Sequence, residues 1–116
     1  MSFQQSPSGI LISAPAYRSE PMQALLVHES GRYSLPDGDL IRIGSSEVCE
    51  IRLLGDPYLS RRHCSLIWLN NQLTINDLGS THGTTVNGTS IGKSPKLLNN
   101  GDLIQIGSSR LTVILQ

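Results

Sequence analysis

From Gln23 onward the apolar residues come in short runs separated by turn-forming residues: ALLV, YSL, LIRI, EIRLL, SLIWL, LTI, TTV, LL, LIQI and LTVIL. Side chains of an extended chain alternate between two faces, so short runs bounded by Gly, Pro, Asn and Asp fit strands. A helix would need apolar residues at i, i+3, i+4 and i+7 over ten or more positions, and no such pattern persists for ten residues without Gly or Pro. About ten short strands imply an all-β chain, folded as a β-sandwich with its loops gathered at the two ends.

The breaks between runs have identifiable turn chemistry. Pro36-Asp37-Gly38 presets one backbone angle and permits a positive φ at the glycine, while Asn87-Gly88 and Asn100-Gly101 both read as hairpin signals. Residues 1 to 22, MSFQQSPSGILISAPAYRSEPM, hold three of the six prolines and keep no strand period for long. That stretch is expected to be a mobile tail, leaving one domain over residues 23–116. A single internal repeat stands out: Gly38 to Ser46 reads GDLIRIGSS and Gly101 to Ser109 reads GDLIQIGSS. It is too short for a duplicated domain and describes one device used twice, a glycine turn feeding an alternating strand that stops at another glycine.

Charge and cysteine content remove several function classes. Nine basic and nine acidic residues cancel, so no overall field favours nucleic acid or an anionic membrane, and any anion site must be local. Cys49 and Cys64 form no CxxC pair, and Gly9-Ile10-Leu11-Ile12 is too short and too poorly flanked for a signal peptide or a membrane span. A reducing, cytoplasmic setting is expected, with neither membrane nor nucleic acid as partner.

Catalytic and cofactor signatures fail on spacing. Gly92-Lys93-Ser94 lacks the glycine that a phosphate-binding P-loop requires five residues earlier, where Asn87 stands. No Gly-x-Ser-x-Gly elbow surrounds Ser60, and His28, His63 and His82 show no zinc spacing with the two cysteines. The chain is therefore expected to be no enzyme and to carry no cofactor or metal.

Two segments survive that filter. One runs from Gly44-Ser45 to Tyr58-Leu59-Ser60-Arg61-Arg62-His63-Cys64, and the other is Asn76-Asp77-Leu78-Gly79-Ser80-Thr81-His82-Gly83-Thr84-Thr85-Val86-Asn87-Gly88. In them the chain resembles the forkhead-associated (FHA) family, whose members carry a Gly-Arg pair, then Ser-x-x-His, then a Ser-x-Asn-Gly-Thr stretch and a second Asn-Gly. The resemblance runs from about Leu25 to Leu115. It implies a β-sandwich of about eleven strands whose loops at one end bind phosphothreonine in a partner protein, downstream of a Ser/Thr kinase.

Carried over by motif, the resemblance implies that Ser60 and Thr81 offer hydroxyls to the phosphate and Arg61 supplies the cation, with Ser80, His82 and Asn87 shaping the peptide contact. Gly44, His63, Gly83 and Gly88 would hold the loops. The chemistry is consistent, because a phosphate monoester brings nearly two negative charges and three strong acceptors. Trp68, alternating with Leu66, reads as core or sheet face, and Cys64 as a small buried apolar side chain.

The chain departs from the family pattern at two positions. Ser45 replaces the arginine of the Gly-Arg pair, and His82 replaces the asparagine of the first Asn-Gly. A hydrogen bond to a charged group contributes about 1.5–3 kcal/mol, so one lost without replacement weakens binding roughly ten- to a hundredfold. Ser45 itself, Arg42, Arg62 and Arg52 are the candidates for compensation, although Arg42 and Ser45 project to opposite faces of a regular strand. His82 is either a protonated group adding charge beside the phosphate or a neutral ring bonded within the loop. A second function stays open: a phosphorylation-independent interaction or assembly module with a degenerate phosphate site, using the same loops or a sheet face.

Overall fold

The structure, a computed structural model, describes residues 23–116, so the tail expected over residues 1 to 22 lies outside the described residues. Eleven strands follow one another without a helix among those residues: β1 (Ala24–His28), β2 (Gly31–Leu35), β3 (Leu40–Gly44), β4 (Ile51–Arg52), β5 (Cys64–Leu69), β6 (Gln72–Asp77), β7 (Thr84–Val86), β8 (Thr89–Ser90), β9 (Lys96–Leu98), β10 (Leu103–Ile106) and β11 (Ser109–Leu115). They form a six-stranded sheet in the order β2-β1-β11-β10-β7-β8 and a five-stranded sheet in the order β4-β3-β5-β6-β9. The sandwich expected from the sequence is the one observed. Its one strand outside the apolar runs is β8, two polar residues that pair with β7 through Thr85↔Ser90 and Val86↔Thr89.

Alternation builds the core. Ile41 and Ile43 of β3, Cys64, Leu66 and Trp68 of β5, and Leu73 and Ile75 of β6 are buried from one sheet. Ala24 and Leu26 of β1, Ile104 and Ile106 of β10, and Leu111 and Val113 of β11 meet them from the other. Each large aliphatic side chain removed from water contributes about 1.5–3 kcal/mol before chain entropy is subtracted, so this double layer is what holds the two sheets together beneath the loops.

The turns divide in an instructive way. Asn87 (φ 52°) and Gly88 (φ 85°) both take positive φ, the two-residue turn that suits the twist of the β7–β8 hairpin. Asn100-Gly101 does not close a hairpin. β9 pairs with β6 and β10 pairs with β11 and β7, so this turn carries the chain from one sheet to the other. The β5–β6 hairpin is closed instead by Asn70 and Asn71, at φ 54° and 59°, with Leu69 and Gln72 paired on either side. Asparagine tolerates the left-handed region because its short amide bonds locally, which lets Asn-Asn do what Asn-Gly usually does.

Candidate anion-binding site

The loop between β4 and β5 is the centre of the site, and it is clamped from both sheets. On one side Gly44 ends β3 directly against it. A Cβ on Gly44 would lie 2.1 Å from the Arg61 carbonyl oxygen and 2.9 Å from that of Ser60, so the close approach itself excludes any side chain there. The next two residues use the proximity: Ser45 N–H donates to the Ser60 carbonyl at 3.1 Å and Ser46 N–H to the Arg61 carbonyl at 3.0 Å. The Cys49 thiol donates to the same Arg61 oxygen at 3.1 Å.

On the other side the second copy of the repeat does the same work. Gly107 (φ 58°) sits so close that an added Cβ would meet Leu59 N and Tyr58 C at 2.9 Å each. The Asp56 carboxylate accepts from Tyr58 N–H at 3.0 Å, from Ser108 N–H at 2.8 Å and from the Ser109 hydroxyl at 2.8 Å. Burial pushes the Asp56 carboxyl up, and these hydrogen bonds outweigh it, leaving the pKa below the ordinary carboxylate value.

His63 bridges the two segments that the sequence singled out. It is fully buried, its Nδ1 accepts from Ser60 N–H at 3.1 Å, and its Nε2 lies 2.7 Å from the Gly83 carbonyl. Accepting at Nδ1 leaves the proton on Nε2, so the neutral ring donates to Gly83 and ties the β4–β5 loop to the β6–β7 loop.

The β6–β7 loop has its own hub, Asp77. Its carboxylate accepts from the hydroxyls of Ser80 and Thr84 and from the backbone N–H groups of Gly79 and Ser80. Here too burial raises the pKa and the hydrogen bonds more than reverse it. Ser80 therefore faces inward: its hydroxyl donates to Asp77 and accepts from Gly83 N–H at 2.9 Å, which leaves it no hydrogen to offer a ligand. Gly83 takes φ 85°, the left-handed conformation the loop needs at that point.

What remains pointing outward is a compact donor set. Thr81 N–H donates to the Ser60 Oγ at 3.1 Å, so the Ser60 hydroxyl keeps its own hydrogen for an external acceptor. The Thr81 hydroxyl has no hydrogen-bond partner among the described residues, and the exposed Arg61 guanidinium rests on the Ser46 hydroxyl at 3.5 Å. Hydroxyls and a guanidinium on neighbouring loops, where the nearby carboxylates are already turned inward, suit an anion with several acceptor oxygens.

The other residues singled out by sequence fall elsewhere. Arg42 is held by Glu50, with Nη2 to Oε2 at 2.8 Å and Nε to Oε1 at 3.2 Å, so it is not available as an auxiliary phosphate contact. Arg62 is exposed and makes no hydrogen bond among the described residues. Asn87 stands at the far end of β7, where its amide donates to Asp102 at 3.0 Å and accepts from Leu103 N–H at 2.9 Å, fastening the hairpin to the start of β10. His82 is exposed and meets Tyr58 edge to face, with ring centroids 5.4 Å apart. Tyr58, His82, Gly83, Thr85, Gly88 and Gln105 line a groove of about 420 Å³ that leads away from the donor set across β7 and β10.

Sequence reasoning gave no role to Ser46, Asp56, Tyr58 or Asp77, although Tyr58 and Asp77 lie within the two segments it singled out. The two aspartates did carry a signal, since Asp-x-Gly-Ser and Asp-Pro-Tyr are patterns in which a carboxylate caps the N–H two residues on.

Comparison with known proteins agrees with this architecture. The sequence profile described as the FHA domain matches residues 41–107. The chain is 39% identical over 85 residues to the FHA domain-containing protein FhaA of Mycobacterium tuberculosis, covering 72% of this chain and 15% of that protein. It is 39% identical over 98 residues to the glycogen accumulation regulator GarA of the same organism, covering 81% of this chain and 59% of the relative. The chain thus spans a minor part of one relative and somewhat over half of the other. A solved structure from a study of phosphothreonine-dependent FHA domain interactions superposes with a TM-score of 0.74 at 32% identity, over 82% of this chain and 98% of that one. A glycine pressed against the β4–β5 loop and a buried histidine that laces it to the next loop thus sit on a sandwich already seen in solved relatives, and this chain belongs to the FHA domain family.

Proposed function

We propose that the chain is a phosphothreonine reader, a binding module that docks on a phosphorylated segment of a protein partner downstream of a Ser/Thr kinase in the cytoplasm. The observation that carries the reading is the Ser60 hydroxyl, held by Thr81 N–H on one lone pair and left free to donate outward, beside the Arg61 guanidinium. Ser60, Arg61 and Thr81 take the phosphate, while His82 and the groove below it receive the adjoining peptide. Gly44, His63 and Gly83 hold the loops in place. Similarity to a domain studied for phosphothreonine-dependent interactions supports the same ligand class.

Calorimetric titration tests this with a phosphothreonine peptide pool, its phosphoserine counterpart and the unphosphorylated pool. Heat from the phosphothreonine pool, lost in Arg61→Ala without loss of the fold, is the expected result. Equal binding of phosphorylated and unphosphorylated pools would replace it with the phosphorylation-independent reading. That alternative has a surface to use: Leu40, Ile67, Thr74 and Leu97 lie in register across β3, β5, β6 and β9 on the outer face of the five-stranded sheet, with Leu40 and Leu97 about half exposed.

A further inference from the structure

Arg61 brings one positive charge to a group that carries nearly two negative ones. We propose that Arg52, on β4, is the second phosphate-binding cation of this site; the inference rests on the phosphothreonine reading above. β3 and β4 run parallel with Ile43 opposite Ile51 and Gly44 opposite Arg52. Both isoleucines are buried in the core, so by strand alternation Gly44 and Arg52 face out of the sheet together. The outward side of Gly44 is where the Ser60–Arg61 backbone lies. Arg52 therefore leaves the sheet on the face that the anion-binding loop covers.

Its side chain is also fixed in place. Arg52 Nε donates to the Ser45 carbonyl at 3.0 Å, and Ser45 N–H in turn donates to the Ser60 carbonyl. One residue separates the guanidinium from the loop that presents Ser60. The two terminal nitrogens carry four further N–H groups, none with a hydrogen-bond partner among the described residues. No carboxylate is paired with them: the sole ion pair among the described residues is Arg42 with Glu50, the Asp56 oxygens are taken by Tyr58, Ser108 and Ser109, and Glu29, which lines the same groove as Arg52, forms no ion pair with it. Arg42 is held away by Glu50, and Arg62 has no anchor that would order it. A guanidinium already held by one hydrogen bond loses less freedom on engaging an anion than an unanchored one does.

Ser45 takes part in this arrangement through its backbone. With a serine at position 45, its carbonyl anchors an arginine arriving from the neighbouring strand, so the site gains from β4 the charge that its own β3–β4 loop does not supply.

The test uses the full chain and a heptapeptide with a central phosphothreonine flanked by alanines, alongside its unphosphorylated twin. Titrations compare the wild type, Arg52→Ala, and Arg52→Ala combined with Ser45→Arg. Losing one charge-assisted contact should weaken phosphopeptide binding about tenfold in Arg52→Ala, and the added Ser45→Arg should restore most of it. The second ionisation of the bound phosphate, followed by ³¹P NMR, should move to higher pH in Arg52→Ala and return in the double variant, which a purely supporting role for Arg52 would not produce. Unchanged affinity in Arg52→Ala overturns the inference, as does a loss that Ser45→Arg leaves unrepaired while the phosphate ionisation stays put. If the wild type itself ignores the phosphate, the parent reading fails first and this one with it.

Discussion

Residues 38–46 and 101–109 differ at one position, Arg42 against Gln105, and they are put to parallel use in opposite sheets. Each begins at a glycine with left-handed φ, Gly38 at 83° and Gly101 at 88°, and each buries two isoleucines. Each then stops with a glycine pressed against the β4–β5 loop. The acceptors that the two copies find there are different. Ser45 and Ser46 donate to the backbone carbonyls of Ser60 and Arg61, whereas Ser108 and Ser109 donate to the carboxylate of Asp56. One flank of the loop is thus held by neutral bonds and the other by an ionised group. Near-identical sequence delivers the same buried pair of isoleucines leading to a glycine, and from there the surroundings decide how the loop is fastened and how that fastening responds to pH.

The largest test of this contrast is a methyl group on each glycine. In Gly44→Ala the new Cβ would stand 2.1 Å from the Arg61 carbonyl oxygen, and backbone must move on one side or both. Overpacking of this kind costs about 3 kcal/mol, and phosphopeptide binding should disappear because Ser60 and Arg61 move with the strain. Gly107→Ala meets the Asp56 Oδ2 at 2.7 Å, an atom that can rotate away, together with Leu59 N and Tyr58 C at 2.9 Å. Added to the strain of alanine at φ 58°, this should cost about 2 kcal/mol, with binding weakened but present. Denaturant unfolding measures both, and equal losses would erase the distinction between the two clamps.

Asp56→Asn separates the flanks by pH. The substitution removes charge-assisted acceptance from two backbone N–H groups and one hydroxyl, and should cost about 1–2 kcal/mol at pH 7. Asp56 has a folded pKa below its ordinary value, so its contribution is complete above about pH 5 and is lost as pH falls through the depressed value. Wild type should therefore lose stability in acid more steeply than Asp56→Asn. Parallel curves from pH 7 to pH 3 would mean that the carboxylate fastens nothing.

Much of this was legible in the chain before any coordinates. The run lengths and their alternation specify strands, because burial on one face is what alternation encodes, and the ordered motifs point to the end of the sandwich where ligand is expected. The misses are of another kind. Asn100-Gly101 and Asn87-Gly88 look alike locally, and only the pairing of β9 with β6 makes the first a crossover rather than a hairpin. Ser80 reads as one of the residues that shape the peptide contact, but Asp77 three residues earlier draws its hydroxyl inward. Arg42 and Arg52 both read as candidate cations, and which of them is free depends on where Glu50 and the Ser45 carbonyl sit in space. Local chemistry sets the elements; competition among nearby acceptors, which a linear sequence does not rank, sets the roles.

The smallest test makes the two repeats identical. Arg42→Gln leaves Glu50 without its guanidinium, and the Glu50 carboxyl, held down to about 2 by the Arg42 side chain first and the residue 42 N–H second, should titrate higher, though still below the usual carboxylate range because the backbone bond survives. A depressed pKa contributes stability above the ordinary carboxylate value and loses it as pH falls toward 2, so any gap between wild type and variant is widest at neutral pH and closes in acid, and the exposure of the pair keeps it small. Even at pH 7 the two should melt close together, since exposed ion pairs are largely compensated by hydration and side-chain entropy. Phosphopeptide affinity should also be unchanged, because Arg42 is bound to Glu50 rather than turned toward Ser60. Carboxyl NMR titration, thermal unfolding across pH and the same peptide titrations read these effects. A clear drop in affinity would return Arg42 to the site and move the second phosphate cation from β4 to β3.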